Sequence, residues 1–166
     1  MMTMVIRYIR AGIIGIICGI LYSGCSHGFI KSKPIHTKLT PELEKYRGYV
    51  QNISKGKLGN KEITIGYRKF NDKDPNLLGV CTFTLENLGK EIDIVEEAWQ
   101  YLSHNEKLLL VAHEFRHCEC NEFGHKDTYF SDKCSKTIMH KYLPDNFCID
   151  KHINNYLEEI RRGCGD

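Results

Sequence analysis

The chain has little surplus charge: 23 Lys and Arg stand against 21 Asp and Glu in 166 residues. No basic stripe interleaved with aromatics occurs, which argues against a nucleic-acid partner. Internal repeats and low-complexity tracts are also missing, and the length fits one domain plus a leader. Long hydrophobic runs are missing too. The first apolar run, Ala11 to Leu21, is about half of the ~20 residues that a membrane-spanning helix needs.

What that run does have is flanks. Arg7 and Arg10 precede it, and Ser23 and Gly24 follow directly before Cys25. A basic start, a short apolar core and a small-residue cleavage zone predict a secretory signal peptide over 1–24. The stretch LYSGC resembles a bacterial lipobox, although its leucine stands four places before the cysteine and Tyr22 takes the usual leucine place. The resemblance implies lipid on Cys25 and an exported protein anchored to a membrane, facing the periplasm or the cell surface. Simple secretion and an uncleaved anchor are the other readings. Residues 25–39, polar and basic without periodicity, read as a tether, and 40–166 as the domain.

Cysteine is plentiful, at 8 residues. Cleavage would remove Cys18 and commit Cys25 to lipid, leaving Cys81, Cys118, Cys120, Cys134, Cys148 and Cys164. An even number in an exported chain of this size predicts disulfides. Cys118 and Cys120 are one residue apart, without the two-residue spacer of ordinary zinc knuckles. Six cysteines allow fifteen connectivities, among which the sequence does not choose; a bond from Cys118 or Cys120 to Cys134 would brace the loop that carries His125.

Thr40-Pro41 opens a helix with a hydroxyl cap and a proline at the first position, and Leu43, Tyr46, Val50 and Ile53 recur along it at helical spacing. Strands are predicted at 62–67, 79–85 and 91–95, forming a small mixed or antiparallel sheet. The segment EEAWQYL reads as a short helix or turn that buries Trp99. Ser103 and Glu106 make a capping box ahead of KLLLVAHEFRHC, a helix over about 104–119. A loop-rich stretch follows. A last helix over about 150–162 carries Ile149, Ile153, Tyr156, Leu157 and Ile160 on one face and stops at Gly163.

The chemistry lies in HEFRHCECNEFGH, residues 113–125. Side chains four apart share a helix face, so His113 and His117 can offer nitrogens to one Zn²⁺. Glu114, about 100° round, can take a proton from a zinc-activated water. Catalytic zinc needs three protein ligands and an open position. Gly124 can turn the chain in a left-handed conformation, which makes His125 the third ligand, with Asp127, Glu122 and His140 behind it in that order. A chance His-Glu-x-x-His in a chain with 8 histidines is on the order of a few per cent, and one on a capped helix is rarer. His27, His36, His104 and His152 read as surface or packing residues.

At this point the chain resembles the zincin-type metallopeptidases, in particular small bacterial lipoprotein peptidases with a metzincin-like layout. The resemblance covers about 40–166 and rests on His113, Glu114 and His117, then on GHKD, DKCSKTIM and the last helix. It implies an α+β, zincin-like fold: a small mixed sheet packed on the active-site helix, with a C-terminal helix. Met139 would be the methionine that floors the metal site. Where metzincins carry a glycine and the third ligand, this chain has Cys120 and Phe123, and Arg116 replaces a common glycine. Arg116 could crowd the cleft or present a cation to substrate. The implied activity is a zinc-dependent metalloendopeptidase, monomeric, whose peptide or protein substrate lies along strand 79–85 or 91–95. Two other readings remain: a non-catalytic, disulfide-stabilised binding lipoprotein, and a zinc hydrolase of cell-wall peptides.

Overall fold

The structure is a computed structural model and describes residues 40–69, 77–83 and 89–165. The expected signal peptide (1–24), lipidation site Cys25, tether (25–39), His27, His36 and the last two residues of the expected strand 79–85 lie outside the described residues.

Helix α1, Pro41–Ser54, begins as its sequence dictates: Thr40 is the N-cap and its Oγ1 accepts from the Leu43 amide at 3.4 Å. Leu43, Tyr46 and Val50 are buried along one face. Lys55 and Gly56, both at positive φ, end the helix.

Strands β1 (Thr64–Arg68), β2 (Gly79–Phe83) and β3 (Lys90–Val95) form a mixed sheet in the order β1-β3-β2. β1 runs parallel to β3, and β2 antiparallel to it. The segment 91–95 is therefore the central strand. It cannot present an edge to substrate, because its hydrogen-bonding groups are used on both sides. Arg68 reaches across to Asp93, with Nη1 to Oδ2 at 3.1 Å. Burial pushes the Asp93 carboxyl up, and the Arg68 guanidinium opposes the shift.

Helix α2, Glu96–Trp99, is a single turn that buries Trp99. Helix α3, His104–Cys120, starts at the capping box. The Ser103 Oγ accepts from the Glu106 amide, and the Glu106 carboxylate accepts from the Ser103 amide. Helix α4 spans Asn146–Arg162 and begins about a turn earlier than the apolar spacing suggests. The reason is Asp145, whose Oδ1 accepts from the Cys148 amide at 2.8 Å and caps the helix after Pro144. A kink at His152 (φ −118°, ψ 15°) interrupts α4. Ile149, Tyr156 and Ile160 are fully buried, while Ile153 and Leu157 pack at the core margin.

α3 sits in the middle, touching β2 and β3 on one side and α1 and α4 on others. Every residue from Leu108 to Cys118 is buried, so the helix is enclosed all round rather than amphipathic.

Disulfides join Cys81 to Cys118, Cys120 to Cys164 and Cys134 to Cys148. All six expected cysteines pair, but neither Cys118 nor Cys120 reaches Cys134. β2 lies against the end of α3 and takes Cys118, the chain terminus takes Cys120, and the start of α4 takes Cys134. Three disulfides fit an oxidising, exported environment. Among the described residues, no helix is long and apolar enough to cross a membrane.

Candidate metal centre

An enclosed helix must satisfy the polar groups it carries, and α3 buries four in its last two turns: His113, Glu114, Arg116 and His117. His113 and His117 bring their Nε2 atoms to 2.9 Å. Their Nδ1 atoms point the other way, each at a main-chain carbonyl. His113 Nδ1 lies 2.6 Å from the Ile138 oxygen, and His117 Nδ1 meets the Glu122 oxygen. A carbonyl only accepts, so both Nδ1 atoms carry hydrogen, and in the neutral rings both Nε2 atoms present lone pairs. Two such nitrogens at 2.9 Å repel each other unless a proton or a metal ion lies between them.

His125 completes the group. Its ring stacks 5.4 Å from that of His113 and stands edge-on 5.2 Å from that of His117. The three candidate ligand atoms all lie within 4.8 Å of one another. A tetrahedral zinc with bonds of about 2.0–2.1 Å holds its nitrogens about 3.3 Å apart, between the 2.9 Å of the His113–His117 pair and the 4.8 Å that bounds the cluster. Three imidazoles, two of them oriented by carbonyls, form a group that could hold a metal ion.

The chain arrives at His125 by a route other than the expected one. Asn121, at φ 54°, makes the left-handed turn that ends α3. Gly124 does not adopt positive φ; a short polar side chain at Asn121 tolerates that conformation and leaves Gly124 no bend to make. Beyond it the segment folds back on itself. The Lys126 amide donates to the Met139 oxygen at 2.9 Å, the Lys136 amide to the Thr128 oxygen at 2.8 Å, and the Phe130 amide to the Cys134 oxygen at 2.8 Å. Met139 thus lies fully buried beside Ile138, whose carbonyl orients His113.

The fallback ligands are engaged elsewhere. The Glu122 carboxylate pairs with Arg116. Asp127 is 76% exposed and sits 3.6 Å from His140 Nε2. His140 Nε2 also meets the Tyr129 hydroxyl at 2.7 Å.

Glu114 is fully buried, one residue round from His113, against the first residue of β2. A Cβ on Gly79 would come within 2.8 Å of Glu114 Oε1, so only glycine lets the strand approach this closely. Arg116 neither crowds the cleft nor offers a cation to it. Only 2% exposed, it turns inward and donates to Glu159 Oε1 at 3.0 Å and to Glu122 Oε1. Removing one partner of such a buried pair costs about 3–5 kcal/mol.

Four supporting groups are not named from the sequence: Glu159, Thr137 and the carbonyls of Ile138 and Glu122. A signal for Glu159 did exist, since a buried Arg116 requires an anion, and Glu159 adjoins the apolar face of α4. Nothing in the sequence marks a carbonyl.

Away from the site, His104 packs against Tyr46 and Tyr49, and its Nδ1 takes the Tyr46 hydroxyl at 3.0 Å. His152 has more company than expected. It stacks on Phe130 at 3.9 Å and meets Asp132 Oδ2 at 2.8 Å. Lys151 and then His152 hold the Asp132 carboxyl well below the usual carboxylate range. The nearby Cys134 is spent in its disulfide. Comparison with protein families, with characterised proteins and with solved structures finds no match for this chain.

Proposed function

We propose that the protein is a zinc-dependent metalloendopeptidase of zincin type, exported and lipid-anchored through Cys25. The observation that carries this reading is the facing Nε2 atoms of His113 and His117, closed by His125, with the buried Glu114 next to His113 along the helix. A purely structural site has no use for that acid.

His113, His117 and His125 would hold the zinc. When bound, zinc polarises a carbonyl and makes water acidic near neutral pH. The chain's own residues do the rest. The Glu114 carboxylate takes a proton from the attacking water and returns it to the departing amine nitrogen as the peptide bond breaks. β2, antiparallel and outermost in the sheet, begins at Gly79 beside that carboxylate. An extended peptide adding to β2 would bring its main chain past Glu114, a mode that reads backbone more than side chain.

The test uses the full-length oxidised chain, wild type beside Glu114→Gln. One zinc per chain is expected in both, with cleavage of an unfolded protein slowed about 10²–10⁴-fold in the variant. Absence of zinc from both would end the reading. Cleavage confined to cell-wall peptides would keep the chemistry and change the substrate class.

A further inference from the structure

Arg116 lies between the two ligand histidines in sequence but about 60° round the helix from His113, on the side that faces α4. Its guanidinium forks. Nη1 donates to Glu159 Oε1 at 3.0 Å, and Nη2 to Glu122 Oε1. Each carboxylate leads to one ligand. Glu159 accepts from the Ile138 amide (Oε2, 2.8 Å) and from the Thr137 hydroxyl (Oε1, 2.6 Å), and so fixes the residue whose carbonyl receives His113 Nδ1. Thr137 in turn accepts from the Met139 amide at 3.0 Å, locking the same turn. Glu122 supplies its own carbonyl to His117 Nδ1.

We propose that Arg116 is the positioning residue of the metal centre: one buried guanidinium sets, through two carboxylates, both carbonyls that orient His113 and His117. This rests on reading the three histidines as a metal site. Lysine could not replace it, because a single ammonium lacks the rigid fork that reaches two divergent anions. Two independent loops, 121–125 and 137–139, are thereby referred to one point on α3. The geometry of the ligands then depends on a residue that never touches the metal.

The test loads Co²⁺ into the full-length oxidised chain and follows two readouts. One is zinc affinity by chelator competition, and the other is the set of paramagnetically shifted, exchangeable Nδ1–H resonances of the ligand histidines. Glu122→Gln should speed solvent exchange of the His117 Nδ1–H and spare that of His113. Glu159→Gln should do the reverse. Arg116→Lys should loosen both and weaken zinc about 10–100-fold, with near-ultraviolet dichroism and disulfides unchanged. If Arg116→Lys does not fold, the two glutamine variants decide, since each keeps the guanidinium and the side-chain volume. Wild-type affinity with unaltered resonances in all folded variants would overturn the role of Arg116 alone. Failure of the wild type to bind Co²⁺ or Zn²⁺ would overturn the metal reading beneath it.

Discussion

At the scale of single residues, the decisive question is which side chain closes the histidine pair. His113 and His117 were legible because helix periodicity fixes both at once. His125 was legible only as a histidine within reach. The route to it was misread, since Gly124 is the obvious hinge and Asn121 makes the left-handed turn. Both residue types tolerate positive φ, and sequence alone does not rank them here. The geometry now separates the candidates: the ligand atoms of His113, His117 and His125 lie within 4.8 Å of one another, whereas Asp127 points to solvent beside His140. His125→Ala should therefore weaken zinc by more than the roughly 10–100-fold that an outer partner costs. Asp127→Ala should leave affinity at the wild-type level. Chelator competition on both variants checks this, and equal losses would place Asp127 at the metal.

At the scale of elements, α3 shows why pattern reading found the helix but not its setting. Its cap, its leucines and its length are all local signals. Its complete enclosure is not, because it arises from β2, α1 and α4 closing round it. The same closure explains Arg116. On a half-exposed helix it would face solvent or substrate; on this one it is buried against two carboxylates. The approach of β2 to α3 yields a second prediction. Gly79 has room for hydrogen only, with Glu114 Cγ and Cδ each 3.0 Å and Oε1 2.8 Å from a built Cβ. Gly79→Ala must displace the Glu114 side chain by a fraction of an ångström while leaving the histidines alone. Misplacement of that order at a reacting group costs up to about 10²-fold. Turnover should fall by about that much with zinc content unchanged. Loss of zinc instead would mean that β2 supports the ligands and not the base.

At the scale of the whole molecule, the α+β class with its small mixed sheet was readable from alternating and helical spacings, and the disulfide pairing was not. Pairing depends on which chain ends meet in space, and one example is enough to show it. Cys118 and Cys120 are neighbours in sequence yet bond to partners 37 and 44 residues away in opposite directions, Cys81 and Cys164. The three bridges divide the work unequally. By loop-closure entropy each contributes about 3–4 kcal/mol, and the short Cys134–Cys148 loop the least. Yet that bridge clamps the segment carrying Ile138 and Met139 to the start of α4, close to the carbonyl that orients His113. Cys120–Cys164 ties the last residue of α3, two before the Glu122 whose carbonyl meets His117, to the segment just past α4, and there Arg116 holds Glu122 as well. Replacing Cys120 and Cys164 together by serine should lower Tm by about ten degrees and, with Arg116 still holding Glu122, weaken zinc less than loss of the Cys134–Cys148 bridge. Replacing Cys134 and Cys148 together should cost less in Tm but weaken zinc measurably. Calorimetry and chelator competition on the two paired variants give the comparison. The reverse ranking in zinc affinity would show that the α3 terminus, rather than the returning loop, holds the centre together.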